Sequence, residues 1–157
     1  MRADGEAGHR RGMLPGYARG MPHPVITVSA VAFVREDGRV LTVRKRGTSR
    51  FMLPGGKPEP GESAAEAAVR EVREEVGIRL AIDELRLLGA WEADAANEPG
   101  HTLDATVYAA DLAGVPVAAA EIAELRWSDP ADPLGDLAPL LRDRVIPALA
   151  LLPDDRV

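Results

Sequence analysis

Glu71, Glu74 and Glu75 recur at i, i+3 and i+4, a spacing that sets three carboxylates along one face of a helix. No lysine or arginine is read on that face as a neutralising partner. Like charges so spaced cost a helix about a few tenths of a kcal/mol per pair, so the ridge calls for a compensating positive charge. A divalent cation would supply it. Magnesium takes hard oxygen ligands, keeps several waters, and usually sits between one or two carboxylates and the phosphates of a substrate. The plainer alternative is a solvated face of a charged helix, the commoner state of an arbitrary acidic triplet.

The surrounding residues weigh on that choice. Gly56, Glu62, Arg70, Glu71, Val72, Glu74, Glu75, Gly77 and Ile78 match every fixed position of the pattern G-x5-E-x7-R-E-U-x-E-E-x-G-U, with U aliphatic. From average residue usage such a match has a chance on the order of one in a million or less. On this box the chain resembles the Nudix hydrolase family. The resemblance implies an α/β fold, the Nudix α/β/α sandwich with a mixed β-sheet between helices. It also implies a chemistry: water attacks phosphorus and cleaves the diphosphate linkage of a nucleoside diphosphate derivative or nucleoside triphosphate. Mg2+ is the implied cofactor, with Mn2+ as a substitute.

The resemblance further implies roles for single residues. Glu74 and Glu75 would be metal ligands and the Gly56 carbonyl an additional one. Glu71 would be either a further ligand or the base that takes a proton from the attacking water. Glu62 and Arg70 would brace the loop against the helix, an orienting role suited to a bidentate guanidinium. Some family members add an acid from a distal loop, and Glu121 fits that catalytic and metal-binding place better than Glu124. The binding or sensor alternative, a module that holds a nucleotide without cleaving it, would be expected to lose box carboxylates or carry a DNA-binding extension.

Local physics supports the helix independently of the family. Ser63 with Glu66 three residues later is a capping-box signature, so the helix is predicted from Ala64 with Ser63 as its N-cap. Gly77 is the expected stop. Ala65, Ala68, Val69, Val72 and Val76 form an apolar stripe offset from the carboxylates by roughly a quarter to a third of a turn.

Directly before this helix, Arg44 through Pro58 contains no acidic residue, while Arg44, Lys45, Arg46, Arg50 and Lys57 supply positive charge. Cations beside a metal-binding ridge suit a polyphosphate, and Arg44, Arg46, Arg50 and Lys57 are predicted to contact substrate. A base could stack on Phe33, Phe51, Trp91, Tyr108 or Trp127; Trp127 is read as structural, while Phe51 and Trp91 flank the proposed cleft and stay open, with Phe51 named among the substrate contacts. The polar stretch Asp94 to Thr102 is a predicted lid in which Asn97 and Glu98 touch substrate. Pro99 falls too late for the ADP-ribose signature of the family, and no tyrosine occupies the diadenosine-polyphosphate position.

The elements that must carry these residues are legible in outline. Val25 to Val34 and Arg39 to Arg46 are predicted as a β-hairpin about the turn Glu36-Asp37-Gly38. Phe51-Met52-Leu53, Leu85 to Ala93, Leu103 to Leu112 and Glu124 to Ser128 are predicted strands. Leu134 to Leu152 is a predicted closing helix that Pro139 and Pro147 should break or kink.

The chain has 157 residues and no cysteine, which suits one globular domain and excludes disulfides, thiolate zinc sites and cysteine nucleophiles. Residues 21–153 are read as the Nudix domain, and residues 1–20 as a flexible leader with Met13 and Met21 as alternative starts. No apolar run approaches the roughly 20 residues that span a bilayer, and the N-terminus lacks a secretory signal. A net charge of −6 argues against nucleic-acid polymers as partners. His9, His23 and His101 lack zinc spacing. A small-molecule nucleotide substrate and a cytoplasmic setting are expected, and apolar strands near the N-terminus would make a homodimer unsurprising.

Overall fold

The computed structural model describes residues 23–153, so the leader reading of residues 1–20 lies outside the described part. Along the chain run β1 (Val25–Ala32), β2 (Val40–Lys45), β3 (Gly55–Gly56), α1 (Ala64–Val76), β4 (Arg86–Asp94), β5 (Thr102–Ala109), β6 (Ile122–Ser128) and α2 (Ile146–Ala150). A 3-10 turn at Ile82–Glu84 leads to β4, and a π-helical turn at Leu141–Val145 runs into α2.

Four strands form a mixed sheet in the order β3-β1-β5-β4, with β1 parallel to β5 and antiparallel to β3. Alternation along β1 sends successive side chains to opposite faces. Val31, and Phe33 just beyond the strand, pack with Ala68, Val72 and Val76 of α1. Ala30 and Ala32 pack with Leu137, Leu141 and Val145 of the C-terminal segment. Helices therefore cover both faces, and the fold is the α/β layering the family resemblance implied. No helix among the described residues is long and apolar enough to cross a membrane.

The predicted hairpin is corrected. The chain does reverse at Glu36-Asp37-Gly38, where the Arg35 N–H donates to the Arg39 carbonyl at 2.8 Å. Beyond the isolated bridge between Val34 and Val40, however, β2 leaves β1 and pairs antiparallel with β6 from Val40↔Ser128 to Lys45↔Ile122. The turn is a local property, whereas the partner of β1 is decided by β5, far along the chain. Phe51-Met52-Leu53 makes only isolated bridges, Met52 to Val43 and Phe51 to Leu137; the paired strand is the dipeptide Gly55–Gly56.

The helix bearing the carboxylates starts and stops where its caps predict. Ser63 Oγ accepts the Glu66 N–H at 3.1 Å, and Gly77, at φ 71°, returns its N–H to the Arg73 carbonyl. Its packed face is Ala67, Ala68, Val72 and Val76, so the stripe is rotated toward Ala67, and Ala65 is only half-buried. The predicted closing helix starts later than Leu134: residues 134–138 are not helical, and from Pro139 to Ala150 the segment is continuous but distorted before Pro147. Pro139 stands at the helical start, where its missing N–H costs nothing. Before Pro147 the helix widens, and the Ile146 N–H reaches back to the Leu141 carbonyl.

Candidate active site

The loop between β3 and α1 is fastened by one guanidinium. Arg70 donates from Nε and Nη2 to the two oxygens of Glu62 at 2.8 Å each, from Nη2 to the Lys57 carbonyl at 3.0 Å, and from Nη1 to Glu71 Oε1 at 2.8 Å. A further contact joins Nη1 to Glu74 Oε2 at 3.3 Å. The reading of an acidic ridge without a basic partner is therefore corrected: Arg70 folds back along the helix and serves Glu62, Glu71 and Glu74 together. Its i,i+4 spacing to Glu74 was the signal available in the sequence. Glu62 also accepts the Glu59 N–H at 3.0 Å, and these bonds, that of Arg70 foremost, pull its carboxyl down to about 2.

Glu75 has no such partner. Its side chain is fully buried at the inner side of α1, and neither carboxylate oxygen has a hydrogen bond. Burial is the main cause that pushes its carboxyl up to about 8, with the Lys45 charge opposing and the Glu71 and Glu121 charges adding. The Gly55 amide exerts a weak opposite pull on the group without completing a hydrogen bond to it. An unsatisfied buried polar group costs on the order of 1–3 kcal/mol, so this carboxylate marks a place the fold keeps open at a cost. Glu71, one turn earlier, lies against the Gly56 backbone: a Cβ at Gly56 would stand 2.5 Å from Glu71 Cδ.

Glu121 reaches the site from the chain before β6. That segment is tied to the end of α1 by the Val117 N–H to the Val76 carbonyl and the Ala119 N–H to the Glu75 carbonyl, both 2.9 Å. The Arg46 N–H binds the Glu121 carbonyl at 2.9 Å, and Arg46 Nη2 binds the Ala120 carbonyl at 3.0 Å. Glu121 Oε1 then meets Lys45 Nζ at 3.2 Å. Glu124 points elsewhere, paired with Arg44 at 3.3 Å.

A cavity of about 490 Å³ opens among these groups, a size usual for small-molecule sites. Gly56, Lys57, Glu71, Lys45, Arg46 and Glu121 line one part of it. Because β3 covers only Ser29 and Ala30, the first half of β1 keeps an open edge, and the cavity passes around it to the other face of the sheet. There Ile26, Val28, Leu103 and Leu140 form an apolar wall beside Asp94, Asn97 and Glu98 of the β4–β5 connection.

Several predicted residues stand outside the cavity. Glu74 lies in a separate shallow groove with Glu62, Arg70 and Arg73. Arg44 is spent on Glu124 and the Thr48 carbonyl, and Arg50 donates to the Gly135 carbonyl at 2.9 Å. Phe51 is corrected from base platform to core: it is 4 % exposed, with the Arg126 guanidinium 3.6 Å from its ring centre. No aromatic side chain is among the described residues that line the cavity. Trp127 packs in the core on the α1 side with Arg35 over its ring, and Trp91 lies over Gly89 in the opposite core.

Of the other lining residues, Ser29 was not anticipated, while Lys45 was read only as one of the cations before the helix and Asp94 only as the start of the predicted lid. Lys45 sits in the acid-free run already noted, so it carried a signal; Ser29, one of two hydroxyls in β1 with Thr27, did not stand out.

The donors suit a hard divalent cation: a buried carboxylate without a partner, the neighbouring Glu71, the Gly56 backbone and Glu121 at the rim. Among the described residues no group of three or more His, Cys, Asp or Glu side chains is placed to hold a metal ion by itself. A cation held here would need water and substrate phosphate to complete its coordination, as magnesium usually does.

The NUDIX domain family model matches residues 23–149. A MutT-like protein of Streptomyces ambofaciens is 42% identical over 71 residues, 45% of this chain and 46% of that protein. An ADP-ribose pyrophosphatase of Methanocaldococcus jannaschii is 30% identical over 95 residues, 59% of this chain and 53% of that protein. The chain thus spans about half the length of these curated relatives. The crystal structure of a MutT NUDIX hydrolase from Burkholderia pseudomallei superposes with a TM-score of 0.61 at 29% identity, covering 82% of this chain and 98% of the other.

Proposed function

The chain belongs to the NUDIX family, and from that premise we propose that it is a divalent-metal-dependent hydrolase. It breaks a diphosphate linkage in a nucleoside diphosphate derivative or nucleoside triphosphate by attack of water on phosphorus. The observation that carries this reading is the buried, unpartnered Glu75 carboxylate one helical turn after Glu71, whose contact with Gly56 stands at the wall of a cavity also lined by Lys45, Arg46 and Lys57.

Glu75 and the Gly56 carbonyl would hold the cation, Mg2+ with Mn2+ as a substitute. Glu74, which stands outside the cavity, would join them only by giving up Arg70, a contact of 3.3 Å at the surface that costs little to break. Bound there, the cation would offset phosphate charge and make water a better nucleophile. Glu71, the box carboxylate that lines the cavity, takes the proton from the attacking water, and Arg70 keeps it in place. Lys45, Arg46 and Lys57 balance the remaining phosphate charge. Glu121, held near by Lys45, is the distal acid. The nucleoside lies along the apolar wall, with Asn97 and Glu98 against its polar edge.

A panel of nucleotide derivatives with Mg2+ or Mn2+, with products identified, tests the proposal. Release of two phosphate-bearing fragments, or of pyrophosphate or phosphate from a triphosphate, supports it; binding without turnover across the panel refutes it. The setting we infer is the cytoplasm, which the lack of cysteine fits. Val25 and Leu87, 60 % and 67 % exposed on β1 and β4, are apolar surface that a homodimer would bury, which sedimentation measures.

A further inference from the structure

Ser29 is a buried hydroxyl with no assigned task. It is 1 % exposed, its Oγ has no hydrogen-bond partner, and it is among the residues lining the cavity. The other buried hydroxyls behave differently: Thr42 Oγ1 and Ser128 Oγ bond each other at 2.7 Å, and Thr42 also bonds the Arg126 carbonyl. A lone unsatisfied hydroxyl at the wall of a cavity is what a ligand-binding polar atom looks like before the ligand arrives.

Its direction follows from strand alternation. Val31 and Phe33 face α1, so Ser29, in step with them, stands on the α1 side of the sheet. Across the antiparallel pair its Cα partner is Gly56, the residue whose open side meets the Glu71 carboxylate. Glu75 is buried on the same side and is equally unpartnered, and the two groups do not satisfy each other. Two orphaned polar groups thus face the layer between β1 and α1 beside one glycine turn.

We propose that Ser29 is a positioning residue for the divalent cation: its hydroxyl holds, by hydrogen bond, a water that the cation carries, while Glu75 and the Gly56 carbonyl bind the cation itself. The proposal rests on the metal-dependent reading above and extends it to a residue outside the Nudix box. Partners of this outer kind orient what the ligands hold, and their loss costs about 10- to 100-fold in metal affinity or activity.

The test uses the full chain, freed of metal and then titrated with Mn2+ alone. Affinity is read by electron paramagnetic resonance of free Mn2+, and thermal unfolding is followed with and without the ion. Ser29→Ala removes an unsatisfied group, so the metal-free variant is expected to melt no lower than the parent, while its Mn2+ affinity falls about tenfold. A variant that binds Mn2+ as tightly as the parent would overturn the proposal, as would one that melts lower without metal yet keeps its full Mn2+-induced gain, which marks a packing role. If the parent itself binds no Mn2+, the metal-dependent reading fails and takes this one with it; if only Ser29→Ala is silent, the failure belongs to Ser29 alone.

Discussion

Gly56 and Glu71 meet where a side chain on the glycine would have to stand: a Cβ there would lie 2.5 Å from Glu71 Cδ and 2.6 Å from Oε1. Clearance, rather than backbone conformation, demands glycine at this point. Gly56→Ala is therefore expected to leave the fold intact, because the obstructed atoms are the end of a side chain, and to push the carboxylate off its place. A displacement of about 1 Å at a reacting group can cost about 10²-fold in rate. Steady-state kcat beside an unchanged far-ultraviolet circular dichroism spectrum checks this.

Glu71 and Glu75 separate in a second experiment. Glu75→Gln removes the buried charge that a cation needs, so Mn2+ affinity should collapse together with turnover. Glu71→Gln removes the proposed base but leaves the Glu75 and Gly56 donors, so turnover should fall by about 10²- to 10⁴-fold with Mn2+ binding largely kept. Parent-like rates in both variants would contradict the mechanism.

The Arg70–Glu62 brace predicts an acid limb of stability. Folded Glu62 titrates at about 2 and its ordinary value is 4.5, so between these values the unfolded chain binds the extra proton. Stability from this group is complete above pH 4.5 and is lost as pH falls through about 2. Glu62→Gln should lower stability at neutral pH and flatten that limb, which urea unfolding at a series of pH values resolves.

What the sequence disclosed follows the range of the physics involved. Ser63, Gly77 and the box residues between them act within a few positions of one another, so α1 and its carboxylates are legible from spacing. The pairing of β2 with β6, the burial of Glu75 and the exit of Arg44 toward Glu124 depend on segments brought together only by folding. Phe51 shows the difference most plainly: flanking the proposed cleft it was a candidate base platform, yet Arg126 and Leu137, far along the chain, enclose it.

That correction is itself testable. Phe51→Ala empties a core site and should destabilise the chain by about 3–5 kcal/mol. If the ring does not touch substrate, the folded fraction at low temperature should retain the parent KM. A raised KM with unchanged stability would restore the stacking role.

The two ends of the cavity differ in charge, and this predicts selectivity. Lys45, Arg46 and Lys57 flank the diphosphate end, whereas Asp94 and Glu98 border the apolar wall, and no cation lies among the described lining residues of the β4–β5 connection. Carboxylates there accept hydrogen bonds from ribose hydroxyls or base amino groups and repel a further phosphate. The parent should therefore prefer a nucleotide whose ribose is free over the same nucleotide carrying an additional ribose phosphate. Replacing both acids, Asp94→Asn with Glu98→Gln, should narrow the ratio of kcat/KM values by about five- to tenfold, mainly through KM for the phosphorylated substrate. An unchanged ratio would mean that the distal group does not reach this loop, and the nucleoside would have to lie elsewhere along the open edge of β1.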